Sequence, residues 1–325
     1  MNSDHPYIIQ PYLGFGNQSK YLIKGRVLEN DGVIETLSDS KLKNLFETFK
    51  RIETDEIPGA KVKFDFLNST TNVVADKEGY FEIVTDHFSK NIPSGIHSGK
   101  IELLEPNVPE ETLSVECAVL FPDISAKYGI ISDVDDTVLQ THMTSRMMLK
   151  MMYVSFLKGA HQRLPMEGMK AVLDVICEHK NGISKHPIFY VSNSPYNIYD
   201  VLSDFINIQE LPKGPLMLRD FGMNLIFKKN NFVPRKLKVI RQILSFYPEL
   251  PFLCLGDTAS NDADYYLQLS DEFPGQIKGV FIRETKDNKN ARRIRSLLDA
   301  RKNAHFKMVK SSDEILEAFN KIQFL

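Results

Sequence analysis

The spacing of hydrophobic residues divides the chain into two parts. Up to about residue 122, segments rich in β-branched and aromatic residues alternate with polar turns, a pattern that is typical of strands. The predicted strands are residues 20–29, 60–67, 79–86, 99–105 and 111–121. A helix is also predicted here, because hydrophobic residues recur at helical spacing at Leu42, Leu45, Phe46 and Phe49. We therefore predict a mainly-β, sandwich-like domain with one inserted helix over residues 1–122.

From residue 123 onward the pattern changes to short, nearly continuous apolar runs that alternate with helical stretches. The predicted strands are residues 128–132, 187–192, 215–219, 251–256 and 277–283, and the predicted helices are residues 166–179, 196–205 and 235–246. Continuous apolar strands separated by helices are typical of a parallel sheet with crossover connections. Residues 123–325 are therefore predicted to form an α/β domain.

Composition and charge narrow the function classes. The chain has 325 residues, a formal net charge of −2 and no charged tail, which argues against broad electrostatic binding to nucleic acid. Its three cysteines are far apart and indicate neither a disulfide framework nor a zinc site. The N-terminus does not resemble a signal peptide, and no apolar run reaches the roughly 18 residues that span a bilayer. A cytoplasmic protein is expected, with peripheral membrane contact left open.

Three predicted strands end in clusters of polar residues, mainly Asp, Asn, Ser and Thr. The first ends in "SDVDDT", the second in "SNSPYN" and a later one in "GDTASND". In an open parallel sheet, ligands bind outside the carboxyl ends of the strands. Asp133 and Asp135 from one loop and Asp257 and Asp262 from another would then face one another. Carboxylate oxygens are preferred ligands of Mg²⁺, so the sequence predicts a magnesium site there.

Two further features fit a phosphate group at the same edge. Ser192 precedes Ser194 and Pro195, which are predicted to be the N-cap and first residue of a helix whose free N–H groups could receive a phosphate oxygen. The helix predicted from residue 235 carries a lysine at its start, either Lys236 or Lys238. Such a cation could neutralise a transferring phosphoryl group.

These four motifs, in this order, resemble those of the haloacid dehalogenase superfamily of aspartate-nucleophile phosphatases. More closely, "YGIISDVDDTVLQTHMT", "PIFYVSNSPYNIYDVLSDFI", "LPKGPLMLRDFG" and "FLCLGDTASNDADYY" resemble the family of phosphatidate phosphatases first associated with actin patches in yeast. The resemblance is strong over residues 120–285 and weak over the N-terminal β region. It implies a Rossmann-like, haloacid dehalogenase-type parallel sheet with helices on both faces.

The resemblance also implies roles for individual residues. Asp133 would attack phosphorus to form an aspartyl phosphate, and Asp135 would be the general acid and then the general base. Thr137 would brace the loop, and Ser192 would bind a phosphoryl oxygen. The metal ligands would be Asp133, the backbone carbonyl of Asp135, Asp257 and, directly or through water, Asp262. The family usually has His-Lys where this chain has Arg235-Lys236, so Lys236 is the preferred phosphate-binding lysine and Lys238 the alternative.

Several residues near these motifs admit two interpretations. Asp136 is interpreted as a turn former or cap, and Asp262 could likewise cap the following helix. Asn193 and Arg219 are candidates for substrate binding, although Arg219 could equally pair with Asp220. The Met-rich segment of residues 141–163 carries Arg146, Lys150 and Lys158. It could lie on an anionic bilayer, but a cap or core helix is the favoured interpretation.

The predicted function is Mg²⁺-dependent hydrolysis of a phosphate monoester through an aspartyl phosphate. The resemblance indicates phosphatidate as the substrate, which would give diacylglycerol and phosphate. A phosphatase of soluble metabolites or phosphoproteins is the alternative within enzymes. A non-catalytic lipid-binding or scaffold protein is the alternative outside them, although the retained aspartates argue against it. The sequence does not indicate an oligomeric state.

Overall fold

The protein combines a strand-rich N-terminal region with a parallel sheet that is flanked by helices. The computed structural model describes residues 6–30, 56–86, 92–106, 112–134, 168–180, 182–220, 234–285, 290–301, 305–322 and 324. The helix predicted around Leu42–Phe49 lies outside the described residues. Among the described residues, no helix is both long enough and apolar enough to cross a membrane.

Within the described ranges, eight strands form the N-terminal sheet. They are β1 (Tyr7–Pro11), β2 (Gly14–Gly16), β3 (Lys20–Glu29), β4 (Lys61–Phe66), β5 (Ser69–Val74), β6 (Tyr80–Asp86), β7 (Gly95–Glu105) and β8 (Ser114–Phe121). Their order is β1-β3-β2-β8-β7-β4-β5, with β6 also paired to β3. The five predicted strands are confirmed, while β1, β2 and β5 were not predicted. The pairs are antiparallel except for β2 and β8, which are parallel.

This sheet curls around its own core. Three strands separate β3 from β4 in the sheet, yet the ring of Tyr21 on β3 packs edge-on against Phe64 and Phe66 on β4, at centroid distances of 5.7 and 5.0 Å. Alternate residues of β4 and β8 are buried, as expected for strands with one face on a core. The core is therefore enclosed between facing parts of one sheet, and the mainly-β character is confirmed, while the sandwich-like arrangement stays a prediction.

The second large sheet has six strands in the part of the chain that the structure describes. They are β9 (Gly129–Asp133), β12 (Ile188–Pro195), β13 (Leu216–Arg219), β14 (Phe252–Asp257), β15 (Ile277–Arg283) and β16 (Phe306–Val309), in the order β13-β12-β9-β14-β15-β16. All neighbouring pairs are parallel. A small hairpin, β10 (His179–Lys180) and β11 (Ile183–Ser184), precedes β12. Every residue of β9 and β14 is buried, which explains their continuous apolar sequences.

Helices cover both faces of this parallel sheet. They are α1 (Met169–Ile176), α2 (Tyr199–Ile208), α3 (Arg235–Phe246), α4 (Asp262–Glu272), α5 (Ala291–Ala300) and α6 (Ser312–Phe319). Helices α1, α2 and α6 pack on one face, which includes Ile130 and Leu253. Helices α3, α4 and α5 pack on the other face, which includes Ile131 and Cys254. Cys254 is fully buried, as its apolar context predicts.

The predicted helices are confirmed with small changes at their ends. Helix α3 has the predicted bounds, and α1 lies within the predicted residues 166–179. The predicted cap at Ser194 and Pro195 is wrong, because β12 continues to Pro195 and a 3-10 turn, Tyr196–Ile198, precedes α2. The predicted domain boundary at residue 122 falls between β8 and β9 and stays a prediction.

Candidate active site

The candidate site lies at the carboxyl ends of three neighbouring strands of the parallel sheet, β12, β9 and β14. Strand β9 lies between β12 and β14, with Val191 paired to Asp133 and Leu255 paired to Ser132. In this register, Asp133, Ser192 and Asp257 reach the same edge of the sheet. This is the edge at which parallel α/β sheets bind ligands.

Three of the predicted acidic residues form a compact cluster. Asp133, Asp257 and Asp262 each offer a carboxylate oxygen, and these oxygens lie within 4.8 Å of one another. The three side chains are almost completely buried, at 2%, 1% and 0% exposure. Carboxylates this close repel one another and are costly to bury unless cations or protons compensate their charge. The cluster could therefore hold a metal ion.

Lys236 supplies a buried cation to this cluster. Its Nζ lies 2.7 Å from Oδ1 of Asp133 and 2.5 Å from Oδ1 of Asp262. Burial lowers the pKa of Lys236, but the two carboxylates raise it more, so that the pKa lies above its ordinary value. The lysine is therefore a permanent ammonium group. Lys238, two residues further along α3, is exposed to solvent.

Local backbone geometry places the two aspartates of the second acidic loop. Asp257 ends β14, and its Oδ1 accepts hydrogen bonds from the N–H groups of Ala259 at 2.6 Å and Ser260 at 2.9 Å. Asp262 is the first residue of α4, and its carboxylate contacts Lys236. A Cβ on Gly256 would lie 2.7 Å from Cβ and 2.8 Å from Oδ2 of Asp262. Glycine at position 256 therefore permits the close approach of Asp262 to β14.

The electrostatics of Asp257 differ from those of its neighbours. Burial, followed by the charge of Asp262, raises the pKa of Asp257 to about 6, although hydrogen bonds from the backbone N–H groups of Ser260 and Ala259 oppose this effect. Oδ2 of Asp262 is buried and has no hydrogen-bond partner in the part of the chain that the structure describes. A carboxylate with a high pKa and a buried oxygen without a donor both fit a bound divalent cation.

The second strand end brings a hydroxyl group and several polar residues to the same edge. Ser192 is fully buried, and its Oγ accepts a hydrogen bond from the N–H of Ser194 at 2.9 Å. Asn193 is exposed, and Arg219 at the end of β13 is partly buried. Asp220, the alternative partner of Arg219, lies 3.9 Å from Nη2 of Arg235. The substrate contacts proposed for Asn193 and Arg219 stay predictions.

Other predicted site residues lie outside the described residues. They are Asp135, Asp136 and Thr137, together with the Met-rich segment of residues 141–163 and its cations Arg146, Lys150 and Lys158. Their roles stay predictions. Gly256 was not predicted to matter for the site, although a glycine within an otherwise apolar strand can mark a close approach. Thr258 was not predicted either; it is buried, and its Oγ1 lies 3.0 Å from Oγ1 of Thr285, which links the acidic loop to the residues after β15.

Comparisons with known proteins identify relatives of this region. Residues 128–284 match the family model described as "Phosphatidate phosphatase APP1, catalytic domain". The chain is 25% identical over 230 residues to "Phosphatidate phosphatase APP1" of Saccharomyces cerevisiae, which covers 69% of this chain and 32% of that protein. It is also 25% identical over 247 residues to "Uncharacterized protein C29B5.04c" of Schizosaccharomyces pombe, covering 75% of this chain and 38% of that protein. The chain thus spans about a third of the length of these relatives.

Among solved structures, a carbohydrate acetylesterase from Xanthomonas citri aligns over 89% of this chain and 73% of its own. The TM-score is 0.27 and the sequence identity is 12%, so this alignment carries no inference about the fold. All of the described residues of the candidate site lie within the APP1 match over residues 128–284.

Proposed function

From the APP1-like sequence of residues 128–284, we propose that the chain is a phosphatase that hydrolyses a phosphate monoester through an aspartyl phosphate on Asp133. The observation that carries the proposal is the buried contact between Asp133 and Lys236 beside two further aspartates. A carboxylate at the end of a central strand, next to a permanent cation, suits attack on an anionic phosphoryl group. The parallel sheet is accordingly proposed to be of haloacid dehalogenase type.

The reaction has two displacements at phosphorus. In the first, a carboxylate oxygen of Asp133 bonds to phosphorus, the bond from phosphorus to the alcohol oxygen breaks, and Asp135 gives its proton to the leaving alcohol. In the second, Asp135 takes a proton from water, and the water oxygen bonds to phosphorus. The bond from phosphorus to Asp133 then breaks, which releases phosphate and restores both side chains.

Lys236 and Ser192 are proposed to bind the phosphoryl oxygens during both steps. The ammonium group of Lys236 already touches the nucleophile, so a phosphate placed at Asp133 would lie within its reach. Ser192 lies on the adjacent strand, one residue beyond the partner of Asp133. Because the charge on the transferring group is spread over its oxygens, fixed donors and cations are the main contribution that a protein makes to this step.

The acidic cluster is proposed to hold Mg²⁺. Asp133, Asp257 and Asp262 supply the hard oxygen donors that this ion prefers, and the resemblance adds the backbone carbonyl of Asp135. When bound, Mg²⁺ would neutralise oxygens of the phosphoryl group. The buried carboxylates present three negative charges to one lysine, which supports a divalent cation as the missing counter-charge.

Phosphatidate is the proposed substrate, and diacylglycerol and phosphate are the products. The name of the yeast relative supports this choice, since it is called a phosphatidate phosphatase. The alternatives are a phosphatase of soluble esters or phosphoproteins and a lipid-binding protein without turnover. A cytoplasmic location with peripheral contact to lipid is proposed together with the phospholipid substrate.

Replacing the nucleophile tests the proposal directly. Asp133→Asn should lower phosphate release by on the order of a thousandfold or more, because an amide cannot form the acyl phosphate. The matched control is Asp299→Asn, an exposed aspartate on α5 that should keep wild-type activity. Phosphate release is measured with Mg²⁺ or with EDTA, on phosphatidate in mixed micelles and on soluble phosphate esters.

The outcomes separate the three functions. Mg²⁺-dependent release from phosphatidate that is lost in Asp133→Asn supports the proposal, and acid-quenched wild-type enzyme should then carry labelled phosphate on Asp133. Release from soluble esters alone would favour the first alternative. Binding to phosphatidate vesicles without release from any ester would favour the lipid-binding alternative. Near-normal turnover by Asp133→Asn would refute the mechanism.

A further inference from the structure

The segment of residues 10–17 in the N-terminal region contacts two elements of the parallel-sheet region. At one end, Nε2 of Gln10 donates to Asp200 at 2.9 Å, and the N–H of Leu13 donates to the hydroxyl oxygen of Tyr199 at 2.8 Å. At the other end, Nδ2 of Asn17 donates to the carbonyl of Phe246 at 2.6 Å. The segment therefore connects the start of α2 with the end of α3.

Between these contacts, Tyr12 stacks on Tyr196. The two rings lie 4.2 Å apart between centroids with an interplanar angle of 14°. Both side chains are buried, at 3% and 1% exposure. Tyr80, also from the N-terminal sheet, approaches Tyr196 with a centroid distance of 6.0 Å. Two tyrosines of the N-terminal region thus converge on a single ring of the parallel-sheet region.

Tyr196 lies close in the chain to one phosphate-binding residue of the proposed site and faces the chain neighbour of the other. It follows Ser192 by four residues and opens the 3-10 turn that leads into α2. The guanidinium carbon of Arg235, the neighbour of Lys236 in the chain, lies 5.8 Å from the centroid of the Tyr196 ring. A displacement of this ring would therefore act on residues 192–198, the end of β12 and the 3-10 turn (the Ser192 loop), and on the first turn of α3 together.

A short 3-10 turn, Tyr196–Ile198, follows Pro195 at the end of the Ser192 loop. Short 3-10 segments have poor hydrogen-bond geometry and depend on their surroundings. The stacked ring of Tyr12 supplies such surroundings, because a buried aromatic pair contributes contact area and a preferred geometry.

From these contacts we propose that Tyr12 is a positioning residue, which holds Ser192 and Lys236 in place for binding of the phosphoryl group. The inference rests on the proposed function, since it assigns phosphate binding to those two residues. The N-terminal region therefore has a role in the site. Its segment of residues 10–17 supports the Ser192 loop from outside the parallel sheet.

The aromatic ring of Tyr12, and not its hydroxyl group, makes the contact with Tyr196 on which the positioning role depends. The Tyr12 hydroxyl is buried and has no hydrogen-bond partner within the described ranges. Tyr12→Phe keeps the stacked ring and should therefore behave like the wild type. Tyr12→Leu keeps an apolar side chain but removes the stack. It should raise KM for a soluble phosphate ester about five- to tenfold and change kcat less than about twofold.

A control variant separates positioning from general loss of stability. Phe64→Leu removes an aromatic ring of the N-terminal core that packs on Tyr21 and Phe66. It should lower the melting temperature to a similar degree as Tyr12→Leu but leave KM unchanged. Amide hydrogen exchange supplies a readout that does not require activity. Tyr12→Leu should accelerate exchange at the amides of Ser194 and residues 196–199 about tenfold, and Phe64→Leu should not.

The outcomes distinguish this inference from the proposed function. A rise in KM and faster local exchange in Tyr12→Leu alone support the positioning role. If Phe64→Leu shows the same changes, or if Tyr12→Phe is as impaired as Tyr12→Leu, the inference is overturned. If the wild type releases no phosphate from any ester, the proposed function fails. The exchange measurement then still decides whether Tyr12 fixes the Ser192 loop.

Discussion

Whether a buried carboxylate has a cationic partner determines its electrostatic state in the site. Lys236 contacts Asp133 and Asp262, whereas no cation within the described part of the chain makes an ion pair with Asp257. Asp257 is instead bonded to the backbone N–H groups of Ala259 and Ser260. Its pKa is raised to about 6, chiefly by burial and next by the charge of Asp262. Without a metal ion and below about pH 6, a proton on Asp257 therefore limits the negative charge of the cluster.

This pKa predicts a particular dependence of stability on pH. Since the folded pKa of about 6 exceeds the unfolded value, the folded state binds the proton more tightly. The contribution of Asp257 is therefore present at acid pH and is lost as the pH rises through about 6. The quantity to measure, in EDTA, is the free energy of unfolding of the wild type minus that of Asp257→Asn. This difference should fall by on the order of 2–3 kcal/mol between about pH 4 and 7. Urea unfolding at several pH values measures this difference.

The comparison with Asp257→Asn is needed because other acidic side chains make the free energy of unfolding change with pH in the opposite direction. Hydrogen bonds from Ser125 and Lys185, respectively, lower the pKa values of Asp123 and Glu178, so both groups favour folding as the pH rises. These contributions are common to the two proteins and cancel in the difference. A difference that stays constant across this pH range would show that Asp257 is ionised throughout.

At the scale of elements, α3 presents two lysines to different environments. Lys236 and Lys238 are two positions apart, and residues at that spacing do not share a helix face. The face that carries Leu237, Ile240 and Leu244 packs on the sheet. Lys236 is buried at the sheet edge, and Lys238 remains in solvent. This orientation supports Lys236 as the phosphate-binding lysine, in line with the preference drawn from the sequence.

Substituting each lysine by methionine tests this orientation. Lys236→Met leaves two buried carboxylates without their cation, so it should lower the free energy of unfolding by about 3–5 kcal/mol in metal-free protein. Phosphate release should be lost as well. Lys238→Met changes an exposed side chain and should alter stability by less than about 0.5 kcal/mol. Urea unfolding in EDTA measures both variants, and a larger effect of Lys238→Met would contradict the assignment.

The elements that could be predicted from the sequence are those with a strong periodic signal. Strands β9, β12 and β14 are continuous apolar runs, and α3 combines helical spacing with a proline just before its first residue. Strands β2 and β16 have only three and four residues, which is too short for a pattern. Strand β5, "STTNVV", is a largely polar segment with no fully buried residue, so its sequence does not resemble that of a core strand.

The candidate site could be predicted to a similar extent. Asp133 and Asp257 end their strands and Ser192 lies near the end of β12, so strand order and register suffice to bring them together. The stack of Tyr12 on Tyr196 could not be predicted in this way. It joins residues 184 positions apart, whose side chains carry no motif. Gly256 and Thr258 act through packing and local hydrogen bonds, which appear only when α4 and β15 are in place.

At the scale of the whole molecule, the two sheets share part of one hydrophobic core. Phe15 on β2, three residues after Tyr12, is fully buried and packs against Phe189 of β12 at 5.3 Å and Phe246 of α3 at 4.9 Å between centroids. Leu22 on β3 joins the same cluster. A chain of this length ordinarily unfolds domain by domain. The shared core instead couples the N-terminal sheet to the helices that carry the site.

This coupling predicts one cooperative unfolding transition for the wild type and two for Phe15→Ala. Truncating Phe15 should cost about 3–5 kcal/mol and remove the contact that transmits unfolding between the sheets. Phe66→Ala is the matched control, because Phe66 is as large but packs within the N-terminal core alone. It should cost a similar amount and preserve a single transition. In calorimetry, the ratio of calorimetric to van't Hoff enthalpy should stay near one for the wild type and Phe66→Ala and exceed one for Phe15→Ala. Two resolved transitions in the wild type would mean that the contacts of Phe15 do not couple the unfolding of the two sheets. Tyr12 would then have to hold the Ser192 loop in place without support from a common core.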